Sequence, residues 1–457
     1  MSEAARPADI TIVGLGPGDP DRITVAARRA LDEAERIYVR QHPDLDLSGL
    51  LDLDRAIDLY AFRRFEENQA EADRWHHPAL AVCDAALDGP VVLAVPGHPR
   101  FGEGLVVSVL KIAAERNQTT KVLDGISATD LVATALDVDP LLSGAQCFAG
   151  RIVQRQIPDD PFAGGAFAAT PGRPLLITHI YDAATMSTLA RSLARIFPPE
   201  HAVIRVDAAG LPEQEISRHT VGELADVPAG PMVALWVPAL AGFDAGRDPR
   251  TMQQISARLR RPDGCPWDRV QTHQSLVPSM LDEVYEVVDA IESGDAVNLA
   301  EELGDLFLHI VLQAQIAEEA GDFTLEDVYA GIAAKIVRRH PHVFAGEVAE
   351  TEEDLHRIWQ RVKAGEKAAA THPKPEKDVD GSPFSKPALG RAAAVLREHP
   401  RPTGALMPPE ARADSLMQAI ADIVQAGDDP EVVLRDALRR HLAGSSGTDL
   451  DMEGRSS

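Results

Sequence analysis

The sequence predicts a multidomain protein, α/β in its N-terminal half and all-α in its C-terminal half. Two observations carry that prediction. Between residues 9 and 240, short apolar runs, most ending in Gly or Pro, alternate with helix-patterned stretches, which predicts an α/β region on a largely parallel sheet. After a polar, Gly- and Pro-containing joint, "GFDAGRDPR" (242–250), only helical periodicity remains.

Taken in order, "ITIVGLG", "VVLAVPG", "TKVLDGIS", "PLLITHI", "HAVIRVDAAG" and "MVALWVP" read as strands. "ITVAARRALDEAERIYV" and "MSTLARSLARIF" read as helices between them. The second half reads as helices near 251–261, 273–292, 296–320, 325–340 and 352–370. Ser293-Gly294-Asp295 breaks the second from the third. Thr324 and Thr351, each with an Asp three residues on, read as N-caps. Residues 371–387 are Pro-rich and polar and read as a linker. A short helical remainder runs to about 443, and 444–457 reads as a disordered tail.

Composition narrows the function classes. A length of 457 residues suggests two to four domains. The net charge of −26, from 45 basic and 71 acidic residues, argues against nucleic acid or an anionic membrane as partner. It leaves room for a phosphate-bearing substrate held through a divalent cation. Three widely spaced cysteines suggest a reducing compartment, with neither a disulfide framework nor a zinc site. The N-terminal stretch lacks a signal-peptide pattern and no run approaches a membrane span, so the expectation is a soluble cytoplasmic protein.

The chemistry-bearing stretch is "SMLDEVYEVVDAIESGDAVNLAEELGDLFLHI" (279–310). Glu283 and Glu286 lie three apart on one helix, and Glu302 and Asp305 three apart on the next. Asp282 adjoins the first pair. If the break at 293–295 folds the helices back on one another, the pairs converge. Packed carboxylates raise one another's pKa and suit a hard cation such as Mg2+ or Mn2+. The plainer reading is a solvated acidic face. Apolar neighbours (Leu281, Val284, Val287 and Val288 on one helix; Leu303, Leu306, Phe307 and Ile310 on the other) tilt the balance toward a cleft.

With "RLRRPDGCPWDRVQTHQSL", "LDEVYEVVDAI", "EELGDLFLHIVLQAQIAEEAGDFTLEDV" and "KIVRRHPHVF", residues 252–367 resemble MazG-type nucleoside triphosphate pyrophosphohydrolases. The resemblance implies an all-α helical bundle, a homodimer, and Mg2+-dependent cleavage of a nucleoside triphosphate to monophosphate and pyrophosphate. It implies metal ligands at Asp282, Glu283, Glu286, Glu302 and Asp305, and a catalytic role for the last four. Asp282 stands where the pattern usually has Glu. By the same resemblance Lys335, Arg339, Trp359 and Lys363 are candidates for substrate contact, with Trp267 and Gln271 near the nucleotide; Arg338 joins them as the neighbour of Arg339. A single helical hairpin would also leave its apolar face open, consistent with a dimer.

In the first half, "ITIVGLGPGDP" (10–20) is an apolar strand running into a Gly-rich turn, without the spacing of a dinucleotide or Walker loop. With "VPGHP" (95–99), "DGISATD" (124–130), "PLLITHIYDAATM" and "VDAAGLPEQE", residues 8–240 resemble the tetrapyrrole (corrin/porphyrin) methylases. That resemblance implies two α/β lobes with S-adenosylmethionine between them. The implied cofactor-site candidates are Gly14, Gly16, Gly18, Pro96, Gly97, His98, Gly125, Ile126 and Ser127. Asp19 stands either near the methyl acceptor or as a helix cap, and His98 is either a site or a turn residue. The "RFGEG" that follows is less apolar than the pattern leads one to expect.

Residues 388–443 resemble a worn second MazG repeat. Its ExxD would fall on Ala411 and Asp414, so no metal site is expected there. The expected organisation is therefore a methylase-like domain (8–240), a joint (241–251), a MazG domain (252–370), a linker (371–387), the worn repeat (388–443) and a tail (444–457). The expected function is nucleotide-pool house-cleaning by triphosphate hydrolysis. Two rivals are a methyltransferase whose helical part only dimerises, and a non-catalytic nucleotide sensor.

Overall fold

The computed structural model describes residues 8–41, 47–59, 75–156, 167–369 and 409–428, with isolated positions up to Arg440. The expected linker at 371–387, the tail at 444–457 and much of the worn repeat lie outside the described residues. The chain divides into two compact units, Met1–Tyr329 and Ala330–Ser457, each described by itself.

The first unit opens with a parallel five-stranded sheet. Its strands are β1 (Ile10–Gly14), β2 (Ile37–Val39), β3 (Ala56–Asp58), β4 (Val91–Val95) and β5 (Thr120–Leu123), in the order β3-β2-β4-β1-β5. Helices α1 (Val25–Asp32), α2 (His76–Ala85), α3 (Gly104–Glu115) and α4 (Ala128–Leu136) intervene. Every residue of β4 is buried and so are four of the five in β1, which explains their unbroken apolar runs. One expectation fails here. The stretch 23–39, read as one helix, stops being helical at Asp32, and Ile37-Tyr38-Val39 is a strand. That β-branched and aromatic triplet is wholly buried between β3 and β4, a site no exposed helix end could fill.

The second sheet contains β6 (Gln146–Ala149), β7 (Leu175–Thr178), β8 (Ala202–Asp207), β9 (Glu215–Thr220) and β10 (Ala234–Val237), ordered β6-β7-β10-β8-β9. With it go α5 (Gly150–Gln156) and α6 (Ala183–Ala194). Only β6 and β7 are parallel; the other three pairings are antiparallel, which corrects the expected largely parallel sheet for this lobe. The seven residues between β8 and β9 are too few for the crossover that parallel strands need. The reading by apolar runs missed β9 because "EISRHT" is an edge strand with no buried residue. It also missed the short strands β3 and β6.

The joint is bonded to the second lobe. Arg247 donates to the Ala194 carbonyl at the end of α6 and to the Phe197 carbonyl just beyond it (2.5 and 3.2 Å). Arg250 pairs with Asp248 at 2.8 Å and donates to the Thr170 hydroxyl at 2.8 Å. Helix α7 (Pro249–Arg260) follows, then the hairpin α8 (Val277–Ser293) and α9 (Ala296–Ala320). Gly294 ends α8 with φ +72°, which favours Gly, and Asp295 caps α9 by accepting from Val297 and Asn298 N–H. Arg260, its side chain 6% exposed, bonds both oxygens of Glu319 at 2.8 Å and the carbonyls of Asp268 and Gln271. It thereby ties α7 and the turn before α8 to α9.

Helix α10 (Leu325–Arg339) starts in the first unit, where Thr324 and Asp327 bond reciprocally as the expected cap. The second unit holds the end of α10, α11 (Pro341–Phe344), α12 (Glu352–Ala369) and α13 (Pro409–Gln425). Thr351 and Asp354 cap α12 in the same manner. No helix among the described residues is long and apolar enough to cross a membrane.

Candidate functional site

The α8–α9 hairpin brings the two acidic pairs together. Glu283, Glu302 and Asp305 each offer a carboxylate oxygen within 4.8 Å of the others. Burial, then the Glu286 and Asp305 carboxylates, push Glu283 above the usual carboxylate range. The same causes in the same order push Glu302 up, with Glu301 adding to them. Glu286 is itself exposed, and its carboxylate helps to raise both Glu283 and Glu302. Asp282 is exposed and is not one of the three clustered acids. His309, which the sequence reading passed over, is buried one turn on from Asp305, with Nε2 3.9 Å from Glu283. Burial depresses its pKa, against the pull of Asp305, and favours a neutral ring. Its only advance signal was a polar residue in the stripe Leu306, Phe307, Ile310.

Trp267 and Gln271 lie in the turn before α8. Gln271 donates to the Trp267 carbonyl and accepts from Ser275, and Trp267 is 57% exposed. Among the described residues neither bonds to the cluster. The turn is tight because a Cβ on Gly264 would lie 2.1 Å from the Leu259 carbonyl oxygen.

In the second unit, Arg338 and Arg339 share one partner, Glu366, which the sequence reading did not single out. The two guanidiniums beside Glu366 lower its pKa to about 2. The Arg339 guanidinium and the Lys363 ammonium lie 5.8 and 5.4 Å from the centre of the Trp359 ring. Lys335 is exposed on the same helix.

The first unit also contains a cleft of about 280 Å3 between its two sheets. The turns after β1, β4 and β5 meet at one wall of it. Gly16 and Gly97 exchange backbone hydrogen bonds (3.2 and 2.7 Å). A Cβ on Gly125 would lie 2.3 Å from the Gly97 carbonyl oxygen, and one on Gly14 2.7 Å from the same atom. Of the sequence candidates, Gly16, Pro96, Gly97, His98, Ile126 and Ser127 line the cleft. Gly14 and Gly125 pack behind that wall. Gly18 and Asp19 are not among the lining residues; Asp19 accepts from Asp21 N–H as a cap and pairs with Arg22 at 3.3 Å. His98 both lines the cleft and holds its turn, accepting from Arg100 N–H at 3.0 Å. Ser127 caps α4 with Asp130. Sequence reasoning missed half-buried Arg40 and buried Glu103, paired at 2.6 Å in the wall, and the second-lobe residues Phe148, His179 and Tyr181. Glu103 belongs to the unexpected "RFGEG" and caps α3 by accepting from Leu105 N–H.

Comparison with known proteins agrees with this division. The model of the tetrapyrrole (corrin/porphyrin) methylases matches residues 9–225, and that of the MazG nucleotide pyrophosphohydrolase domain matches 271–344. The uncharacterized protein YabN of Bacillus subtilis is 32% identical over 396 residues, 85% of this chain and 76% of that protein. A nucleoside triphosphate pyrophosphohydrolase of Escherichia coli is 43% identical over 144 residues, 31% of this chain and 54% of its own length. Among solved structures, a uroporphyrin-III C-methyl transferase from Thermus thermophilus, complexed with S-adenyl homocysteine, aligns with 50% of this chain and 96% of its own at 19% identity and a TM-score of 0.37.

Proposed function

The chain belongs to the family, shared with YabN, that joins a tetrapyrrole methylase domain to a MazG nucleotide pyrophosphohydrolase domain, and from that premise we propose that it hydrolyses nucleoside triphosphates to monophosphate and pyrophosphate with Mg2+ or Mn2+. The observation that carries this reading is the convergence of Glu283, Glu302 and Asp305. Acids pressed against acids, with their pKa values raised, form the oxygen donor set that fits a hard divalent ion. When bound, such an ion offsets phosphate charge and makes water a stronger nucleophile. Glu283, Glu302 and Asp305 would hold it. Glu286, touching two of them, completes the set or takes the proton of the attacking water. Asp282 is the outermost proposed ligand. Lys335, Arg338, Arg339 and Lys363 supply cations for the phosphates, and Trp359, Trp267 and Gln271 serve the nucleoside.

The cleft of the first unit is proposed to take S-adenosylmethionine. Its apolar lining and its bare backbone wall at Gly16 and Gly97 fit a flat heterocycle at close range. The cofactor supplies the methyl group, and the lobes align it and exclude water. The homodimer is proposed from Leu281, Tyr285 and Val288 on α8 and Leu303 on α9, all exposed and apolar, a face a second copy would cover. The role proposed is house-cleaning of nucleotides in the cytoplasm, without nucleic acid or membrane as partner.

The test is pyrophosphate release from a panel of ribo- and deoxynucleoside triphosphates, in Mg2+ and in EDTA, by wild type and Glu302→Ala. Metal-dependent release lost in the variant supports the reading. Absence of release from every nucleotide would remove it and favour the sensor.

A further inference from the structure

One carboxylate sits inside the proposed cationic set, where simple charge counting would not put it. Arg338 donates to Glu366 Oε1 through Nε (3.0 Å) and Nη2 (2.5 Å). Arg339 donates through Nε to both oxygens (3.2 Å each) and through Nη2 to Oε2 (2.6 Å). The acid is largely covered, its side chain 13% exposed. Each arginine thus spends Nε and Nη2 on the same acid. The Nη1 groups of both have no hydrogen-bond or ion-pair partner among the described residues, so each arginine keeps one donor group unspent. Arg339 also stands over Trp359, as Lys363 does.

We propose that Glu366 is the positioning residue of the phosphate-binding set, holding Arg338 and Arg339 side by side with their free donors presented to the triphosphate. The proposal rests on the reading of those arginines as substrate ligands. Two arginines and Lys363 against one glutamate leave two positive charges, in a chain whose net charge is −26. If Glu366 did nothing but subtract charge, its removal would strengthen triphosphate binding. Two unclamped arginine side chains, however, each keep several freely rotating bonds, and ordering them on a ligand weakens binding. A single acid bonded to both removes much of that freedom in advance. It remains ionised at any pH near neutrality, because both guanidiniums hold its pKa at about 2.

The two accounts predict opposite signs. We expect Glu366→Gln, although it adds a net positive charge, to raise KM for the best-hydrolysed triphosphate by about tenfold, with kcat changed less. Glu366→Asp, which keeps the charge, should fall between Gln and wild type. An unchanged or lower KM in Glu366→Gln, with thermal unfolding like wild type, would overturn the proposal. If the Gln variant does not fold, Glu366→Asp decides: a raised KM supports it and an unchanged KM overturns it. If wild type hydrolyses no triphosphate, the hydrolase reading fails separately. Titration with ATP and Mg2+, followed by tryptophan fluorescence, then tests the clamp: weaker binding in Glu366→Gln supports it, and equal or tighter binding refutes it.

Discussion

Two groups of acids on the helices are perturbed in opposite directions. Glu283 and Glu302 are packed among other carboxylates and pushed up. Glu366 is packed between guanidiniums and held down at about 2. The first group lacks positive charge and gains by meeting a cation. The second is already neutralised and gains nothing further. An acid's neighbours, more than its exposure, thus separate a binding site from a brace. Glu319, lowered chiefly by Arg260, belongs with the braces.

The largest effect should come from breaking the first group. Glu302→Ala or Glu286→Gln is expected to reduce metal-dependent pyrophosphate release by roughly a hundredfold to a thousandfold with the fold intact. Activity retained in Glu286→Gln would take that residue out of the site. Breaking a brace should instead cost stability: Arg260→Ala is expected to lose about 2 kcal/mol, read from denaturant unfolding, since Glu319 is partly solvated and only the carbonyl bonds are well covered.

Smaller and more diagnostic are the pH slopes. Glu283 and Glu302 have raised folded pKa values, so their contribution is present below the ordinary carboxylate range and lost as pH rises through the raised values. Glu366 works the other way. Its contribution is present above the ordinary 4.5 and lost as pH falls toward about 2. Thermal unfolding in EDTA across both windows should show the first component vanish on adding Mg2+ and the second persist. Smallest of all, Glu302→Gln should unfold at a slightly higher temperature than wild type in EDTA and lose most of the increment that Mg2+ gives wild type. A lower temperature in EDTA would mean that Glu302 is a brace too.

Much of the fold was legible in advance because local rules governed it. The α8–α9 break follows from Gly294 and Asp295, and the caps at Thr324 and Thr351 from an acid three residues on. The acidic pairs were legible because helical spacing alone puts residues three apart on one face. Strand β2 was not, since "IYV" continues a helical pattern and only its burial between β3 and β4 makes it a strand. The second sheet's direction was equally hidden, because apolar runs do not say which way a neighbouring strand points.

The order of domains, the carboxylate pairs and the glycines of the cleft are written in the linear chain. Each depends on spacing along one element or on a residue type with a unique backbone allowance. Folding in three dimensions is what packs Gly14, Gly97 and Gly125 backbone to backbone, brings Arg40 to Glu103 and gives Glu366 two arginines. Those partners are 27 to 111 residues apart in the chain. No local pattern relates residues so distant, and packing alone selects which charge meets which.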